Sequence, residues 1–249
     1  MKAIILSAGQ GSRLLPHTQA LPKCLLPVSG DITLLGWQLT QLETAGVSEA
    51  VVVSGFYAEK VEAELAAHSL PTRSVFNPFY KVADNLGSVW MAREEMGENF
   101  ILINGDTLFT AEVVESLMES AENDSVTVTI SRKDIFDDDD MKVVESRGRL
   151  LEIGKRLQRA DVNAESIGMI AFRGRGAEMF RDTVEAQMRD QASLKNYYLS
   201  IIDELAKREV ISVAEAAQNA WCEVDFPVDY ERAKKMVATW HGLQKAASA

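Results

Sequence analysis

Residues 3–14 read Ala-Ile-Ile-Leu-Ser-Ala-Gly-Gln-Gly-Ser-Arg-Leu, an apolar run that passes directly into a loop with two glycines. The apolar run predicts a buried β-strand. Glycines just past a buried strand let the backbone turn tightly, so that its N–H groups can lie against phosphate oxygens. Further along, Lys23 lies between Pro22 and Pro27, which stiffen the chain around its ammonium group. The stretch therefore predicts a phosphate-binding loop after the first strand.

Two familiar phosphate-binding loops do not fit this stretch. The dinucleotide-binding fingerprint needs a third glycine where this chain has Leu14, and a helix directly after the loop. The Walker pattern needs Gly-Lys-Ser or Gly-Lys-Thr, and neither tripeptide occurs in the sequence. A dinucleotide-dependent oxidoreductase and a P-loop enzyme are therefore both disfavoured.

The rest of the chain predicts an α/β fold with a Rossmann-like mixed, mostly parallel sheet flanked by helices, because short apolar runs alternate with helical periodicity. We expect a single domain over residues 1–249, with a phosphate-binding half (1–130) and an acceptor-binding half (131–240). In the first half the predicted strands are 3–6, 50–54, 73–76, 100–103 and 125–130, and the predicted helices are 34–42, 58–68, 86–96 and 111–121. In the second half we predict a hairpin over 141–153, strands 166–172, 210–213 and 221–224, and helices 177–189, 198–207 and 230–240.

Composition narrows the range of partners. The chain has 26 Lys and Arg against 37 Asp and Glu, which gives a formal net charge of −11, and such a surface repels nucleic acids and anionic lipid. Cys24 and Cys222 are the only cysteines and there are three histidines, a set that suggests neither a zinc site nor a disulfide framework. No apolar run approaches the length of about 18 residues that spans a membrane. We therefore predict a cytoplasmic protein that binds neither nucleic acid nor membrane.

Carboxylates follow two of the predicted strands. Asp106 ends an apolar strand, and ligands of open parallel sheets collect at the carboxyl ends of strands. Glu223 and Asp225 would share one face of a strand, where they repel each other unless a cation lies near. For the other acidic and polar positions we expect structural roles: a solvated loop at Asp137–Asp140, and helix N-caps at Asn85 and Asp229.

The loop over 6–14, joined to Pro22-Lys23-Cys24-Leu25-Leu26-Pro27-Val28, resembles the signature of the nucleotidyltransferases that activate sugar phosphates, phosphocholine and phosphonates. The resemblance implies a glycosyltransferase-A-like fold, a glycine loop that wraps a nucleoside triphosphate, and Arg13 and Lys23 as catalytic cations. It also implies that the helix after residue 84 lies beside the base and ribose. The nucleotide-binding residues predicted in this way are Leu6, Ala8, Gly9, Gln10, Gly11, Ser12, Asn85, Gly87 and Ser88.

The resemblance extends to the metal and the acceptor. It implies Asp106 and Asp225 as ligands of Mg²⁺, and Lys155 as a catalytic contact to the acceptor phosphate. The further acceptor-binding residues that we predict are Lys142, Tyr198 and Glu223.

The chain looks most like the small cytidylyltransferases for phosphocholine or 2-aminoethylphosphonate, so the expected reaction transfers CMP from CTP to a small phosphorylated acceptor and releases pyrophosphate. A sugar-1-phosphate nucleotidyltransferase using UTP, dTTP, GTP or CTP is the alternative within the class. A non-catalytic nucleotide-sensing subunit is the alternative outside it. A homodimer is compatible with the sequence.

Overall fold

The structure is a computed structural model that describes residues 1–158 and 160–247, of which 244–247 are described by their backbone alone. The strands of this part of the chain are β1 (Lys2–Leu6), β2 (Pro27–Ser29), β3 (Ile32–Thr33), β4 (Glu49–Ser54), β5 (Thr72–Phe76), β6 (Asn99–Asn104), β7 (Thr107–Phe109), β8 (Val126–Ser131), β9 (Lys142–Ser146), β10 (Arg149–Gly154), β11 (Ala164–Arg173), β12 (Ser212–Glu215) and β13 (Trp221–Glu223). The α-helices are α1 (Leu34–Thr44), α2 (Ala58–Ala66), α3 (Asn85–Met91), α4 (Ala111–Ser120), α5 (Arg175–Gln187), α6 (Leu199–Ala206) and α7 (Pro227–Ala247).

Nine of these strands form one mixed sheet in the order β5-β4-β1-β6-β11-β8-β12-β10-β9, in which β9 also pairs with β11. The predicted α/β fold with a mixed sheet and flanking helices is confirmed. Parallel pairing covers β5, β4, β1 and β6 and the pair β8–β12. The other pairings are antiparallel, so the sheet is less parallel than predicted. Each antiparallel pairing in this sheet involves β10 or β11, both in the second half of the chain. Of these pairs, β9 and β10 are joined by a tight hairpin, whereas parallel neighbours need a long crossover.

The predicted hairpin around Gly148 is present as β9 and β10. Arg147 and Gly148 both have positive φ, 55° and 78°, which is the backbone form of a two-residue hairpin turn that twists with its strands.

Two helices begin or end at residues other than those predicted. The predicted helix 86–96 ends at Met91 and continues only as a 3₁₀ turn, whereas the final helix begins earlier than predicted, at Pro227. A proline fits there because the first helical residue needs no N–H partner.

Helices cover both faces of the sheet. On β1, Ala3 and Ile5 belong to one apolar cluster and Ile4 to another, because successive side chains of a strand point to opposite faces. The first cluster includes residues of α1, α2 and α4, and the second includes residues of α3, α5 and α6. A third cluster joins α7 to the loop after β1 and to α1, whose Trp37 stacks on Trp240. Within the described residues, no helix is both long and apolar enough to cross a membrane.

Candidate active site

A cavity of about 400 Å³ opens at the carboxyl ends of β1 and β6. We call it the site cavity. It brings together most of the residues that the sequence predicts for binding and catalysis, from both halves of the chain. Those that line it are Leu6, Ala8, Gly9, Gly11, Ser12, Arg13, Lys23, Asn85, Ser88, Asp106, Lys155, Glu223 and Asp225.

The glycine loop packs directly against Lys23. Gly11 has a φ of 74°, in the left-handed region that favours glycine, and a Cβ atom there would lie 2.8 Å from the Cβ atom of Lys23. The hydroxyl of Thr18 donates to the carbonyl oxygen of Gly11 at 2.8 Å, which fixes the turn. The glycine therefore allows the loop backbone and the lysine stem to approach closely, and this contact directs the ammonium group into the site cavity.

The ammonium group of Lys23 bridges the two predicted metal ligands. Its Nζ atom donates to Oδ2 of Asp106 at 2.9 Å and to Oδ1 of Asp225 at 2.7 Å. Burial on its own would lower the pKa of Lys23, but the charges of Asp106 and Asp225 outweigh it and the pKa is raised. Burial would likewise raise the pKa of Asp225, yet Lys23 and Arg13 hold it below its ordinary value. The three groups form one charged cluster.

A small second sheet brings the two carboxylates together across the sequence. β13 pairs antiparallel with β7, so that Glu223 lies opposite Thr107. Beyond this pair, the N–H of Val224 donates to the carbonyl oxygen of Asp106 at 3.0 Å. Asp225 follows, and its own N–H and that of Phe226 donate to the carboxylate of Asp229. The predicted N-cap at Asp229 is wrong, because α7 begins at Pro227 and Asp229 is its third residue. From there its carboxylate reaches back to the N–H groups just before the helix, and it orients the segment that carries Asp225.

The turn that carries Asp106 is held from inside the protein by Gln38 of α1. The fully buried amide of Gln38 donates to the carbonyl oxygens of Asn104 at 3.0 Å and Thr107 at 2.8 Å, one on each side of the turn. Within the turn, the N–H of Gly105 donates to the carbonyl oxygen of Leu6 on β1. The aspartate is therefore fixed to both the first strand and the first helix.

We expect Gln38→Leu to lower the free energy of unfolding by about 1–3 kcal/mol, because the carbonyl oxygens of Asn104 and Thr107 lose their amide donor. Urea denaturation measures the effect, with Gln19→Leu on the exposed loop as the control. Unchanged stability would show that the amide does not hold the Asp106 turn.

The donor set at this point suits a hard divalent cation. Oδ1 of Asp106 is buried and accepts no hydrogen bond, and carboxylate oxygens are the ligands that Mg²⁺ prefers. Asp225 lies close by, since both aspartates contact the same ammonium group. Over residues 1–158 and 160–247, no group of three or more His, Cys, Asp or Glu side chains forms a metal-binding cluster. A cation here would thus rely on two carboxylates together with oxygens from a ligand or from water.

Arg13 also contacts carboxylates. It pairs with Asp225 at 2.9 Å and with Asp139 at 3.5 Å, and its guanidinium lies 5.0 Å from the ring centroid of Phe226. The acidic run Asp137–Asp140 is therefore more than the solvated loop that the sequence predicts. It reaches the site because Lys133 binds Asp140 at 2.7 Å and because Asp139 faces Arg13.

Lys155 and Glu223, from the second half of the chain, line the site cavity near the charged cluster. The ammonium of Lys155 lies 4.9 Å from the ring centroid of Tyr197. Burial and the nearby charges of Asp106 and Asp225 raise the pKa of Glu223 to about 8. Glu223 therefore takes up a proton more readily than an ordinary glutamate.

Four predicted site residues do not line the cavity. The Gln10 amide turns to the carbonyl oxygen of Thr18, and Gly87 is buried within α3, where a Cβ would lie 2.7 Å from the Cβ of Ala83. The Lys142 ammonium donates to the carbonyl oxygens of residues 137 and 155, so it is bound to backbone and does not face an acceptor. Tyr198 is fully buried and its hydroxyl donates to Asn104, while burial raises its pKa.

The predicted N-cap at Asn85 is wrong by one position. Asp84 is the cap, and its carboxylate accepts from the N–H of Asn85 at 2.8 Å. The side-chain oxygen of Asn85 instead accepts from the N–H of Tyr198, which ties α3 to the start of α6. Asn85 still lines the cavity.

The structure also adds lining residues that the sequence analysis did not select for the site. Glu165 and Ser166 lie on β11, in a stretch without a recognised motif, and Tyr80 and Asp84 lie in the segment before α3. No sequence pattern selects Glu165, because Lys133 brings it together with Asp140 of the acidic run only in the folded chain.

The geometry agrees with a comparison of the chain with known families. A model of the MobA-like NTP transferase domain matches residues 3–165, which include the glycine loop, Lys23, Asp106 and Lys155. The chain belongs to this family.

Known relatives of this NTP transferase include complete cytidylyltransferases and larger proteins. The CTP:phosphoglutamine cytidylyltransferase of Campylobacter jejuni is 24% identical, over 93% of this chain and 98% of that protein. The bifunctional IPC transferase and DIPP synthase of Aquifex aeolicus is 29% identical over 94% of this chain, which spans 51% of the length of that relative. The solved structure of the CTP:phosphocholine cytidylyltransferase of Streptococcus pneumoniae superposes with a TM-score of 0.76 at 22% identity, over 95% of this chain and 98% of that one. This similarity shows the fold.

Proposed function

We propose that the protein is a Mg²⁺-dependent cytidylyltransferase that transfers CMP from CTP to a small phosphorylated acceptor, such as phosphocholine or an aminoalkyl phosphonate, and releases pyrophosphate. Residues 1–130 bind the nucleotide and residues 131–240 bind the acceptor, as parts of one unit. We place the enzyme in the cytoplasm, consistent with its two buried free cysteines.

One observation carries the proposal: Lys23 bridges Asp106 and Asp225 at the mouth of the glycine loop. A cation and two carboxylates at the carboxyl ends of β1 and β6 are suited to a triphosphate that arrives with a divalent metal. Membership of the NTP transferase family supports the same reaction class. CTP is favoured because two relatives that this chain covers over 98% of their length are cytidylyltransferases, one for phosphoglutamine and one for choline phosphate.

The residues act by positioning and by charge. An oxygen of the acceptor phosphate attacks the α-phosphorus of CTP, the bond from that phosphorus to the bridging oxygen breaks, and pyrophosphate leaves with the electron pair. The attacking phosphate is already anionic at neutral pH, so no side chain has to remove a proton. Lys23 and Arg13 exchange their carboxylate partners for the triphosphate and stabilise the charge that develops on the leaving group.

The remaining roles belong to the acceptor half. Lys155 neutralises the acceptor phosphate and holds it toward the α-phosphorus. Asp106 and Asp225 would hold Mg²⁺, which when bound supplies a positive charge that offsets the phosphate oxygens. Asn85 and Ser88 lie in the first turn of α3 and line the site cavity, where they can face the nucleoside.

A pyrophosphate-release assay tests the proposal. Each of CTP, UTP, GTP and dTTP is paired with phosphocholine, 2-aminoethylphosphonate and glucose 1-phosphate in the presence of Mg²⁺. We expect the highest kcat/KM with CTP and a nitrogen-containing acceptor. Faster turnover with the hexose phosphate would favour the sugar-1-phosphate nucleotidyltransferase, and binding without turnover for every pair would favour the nucleotide-sensing subunit.

A further inference from the structure

Glu165 is a nearly buried carboxylate at the junction of two cavities. It lines the site cavity and also an adjoining cavity of about 560 Å³, which lies between the acidic run and α7. Its Oε2 atom accepts from the Lys133 ammonium at 2.7 Å, and the same ammonium binds Asp140 at 2.7 Å. Two carboxylates thus share one ammonium group, and the trio carries a net negative charge when all three are ionised.

Glu165 lies within reach of a ligand that Lys155 holds. Gly154 of β10 is directly opposite Lys142 of β9, which in turn is directly opposite Glu165 of β11. Two strand spacings, about 10 Å, therefore separate Glu165 from the residue before Lys155. Both side chains line the same cavity, so a short acceptor can extend from one to the other.

Each of the two aromatic rings that line the site cavity lies near a lysine of the chain itself. Lys155 lies 4.9 Å from the ring centroid of Tyr197, and Lys81 lies 5.7 Å from that of Tyr80. These are the aromatic residues among the described ones that line the site cavity. A quaternary ammonium group is recognised by aromatic faces, whereas a primary ammonium has N–H donors that suit a carboxylate.

We infer that the acceptor carries a primary ammonium group and that Glu165 is the specificity residue that binds it, beside the Lys133–Asp140 pair. This inference rests on the proposed function and decides between its acceptor classes. Lys155 holds the phosphate or phosphonate end of the acceptor, and the ammonium end supplies the positive charge that the trio lacks. Because burial raises the pKa of Glu165 to about 7 despite the charge of Lys133, the carboxylate is under-neutralised without a ligand.

The decisive comparison uses phosphoethanolamine and phosphocholine, which differ only in three N-methyl groups. With CTP and the wild-type enzyme, we expect kcat/KM to be at least about 10-fold higher for phosphoethanolamine, because methylation removes the donors to Glu165. Equal or faster use of phosphocholine overturns the inference but leaves the proposed function intact. Absence of pyrophosphate release with every acceptor and nucleotide instead contradicts the proposed function.

Variants at position 165 test whether Glu165 causes the preference for phosphoethanolamine over phosphocholine. Glu165→Gln is expected to raise KM for phosphoethanolamine about 10- to 100-fold, to leave KM for CTP unchanged, and to bring the two acceptors close together in kcat/KM. Glu145→Gln is the matched control, since Glu145 is a similarly buried carboxylate paired with Arg132 on the same sheet and lies outside the site cavity. Glu165→Asp, which keeps the charge, should retain part of the preference. A preference for phosphoethanolamine that survives in Glu165→Gln overturns the assignment of this residue.

Discussion

Lys23→Ala is expected to lower kcat with CTP by about 10²- to 10³-fold, the usual cost of removing one preorganised group that stabilises charge in a transition state. The structure gives two reasons to expect an effect of this size. The ammonium group is held between Asp106 and Asp225 at the mouth of the glycine loop, so it meets the triphosphate already oriented. Its stem packs against Gly11, which fixes the direction of the ammonium group. Steady-state pyrophosphate release at saturating CTP measures kcat.

Lys60→Ala is the control for this prediction. Lys60 is a lysine of the same half of the chain, and its ammonium donates to the carbonyl oxygen of Ala20 at an exposed position. It lies outside the site cavity and should keep kcat within about 2-fold, as surface substitutions usually do. Circular dichroism of both variants should match the wild type. A Lys23→Ala enzyme with wild-type turnover would falsify the catalytic role of this lysine.

The sequence located the cavity residues of the first half of the chain better than those of the second half. The glycine loop and Lys23 lie close together in the chain, so their approach depends on local turns that glycine and proline dictate. Asp106 ends a strongly apolar strand, and the edge at which it emerges follows from the parallel sheet. Asp225 is more distant, and the predicted strand alternation does not reach it because β13 ends at Glu223, yet Glu223 and Asp225 both line the site cavity. That each binds the predicted ligand stays a prediction.

The misses have a common physical cause, which is that a polar side chain has several partners open to it until the chain folds. Tyr197 and Tyr198 are adjacent at the start of α6, and their spacing alone cannot say that the first lines the cavity and the second is buried. Lys142 was expected to bind a ligand and instead binds two backbone carbonyl oxygens. Gln38, a polar residue between apolar ones, fits an exposed helical position by pattern but is fully buried under the Asp106 turn.

Asp106→Asn and Asp225→Asn are each expected to lower kcat/KM by at least about 10²-fold at a fixed Mg²⁺ concentration, because a bound metal contributes several kcal/mol of charge stabilisation. An amide is a weaker ligand for this hard cation than a carboxylate, so both variants should need more Mg²⁺ for half-maximal rate. Initial rates over a Mg²⁺ series measure this requirement. An unchanged Mg²⁺ requirement in both variants would show that Asp106 and Asp225 are not the metal ligands.

The same two variants should differ in the stability of the ligand-free protein. Asp225 pairs with both Lys23 and Arg13, whereas Asp106 pairs with Lys23. When Asp106 is neutralised, Lys23 still has Asp225 as its partner. We expect Asp225→Asn to lower the free energy of unfolding by about 1–3 kcal/mol, the cost of leaving a largely buried polar group without its partner, and Asp106→Asn by less. Urea denaturation at pH 7 without nucleotide measures both values.

The dependence of that difference on pH follows from the lowered pKa of Asp225, which Lys23 and Arg13 hold down against the effect of burial. A carboxylate with a depressed pKa in the folded state stabilises the protein above its unfolded pKa of about 3.9, and this contribution is lost as the pH falls through the folded value. The wild type and Asp225→Asn should therefore converge in acid, since protonation and amidation remove the same charge. Equal stability of the two proteins at pH 7 would mean that other contacts hold Lys23 and Arg13 in place. Asp225 would then not preorganise these two cations for a triphosphate.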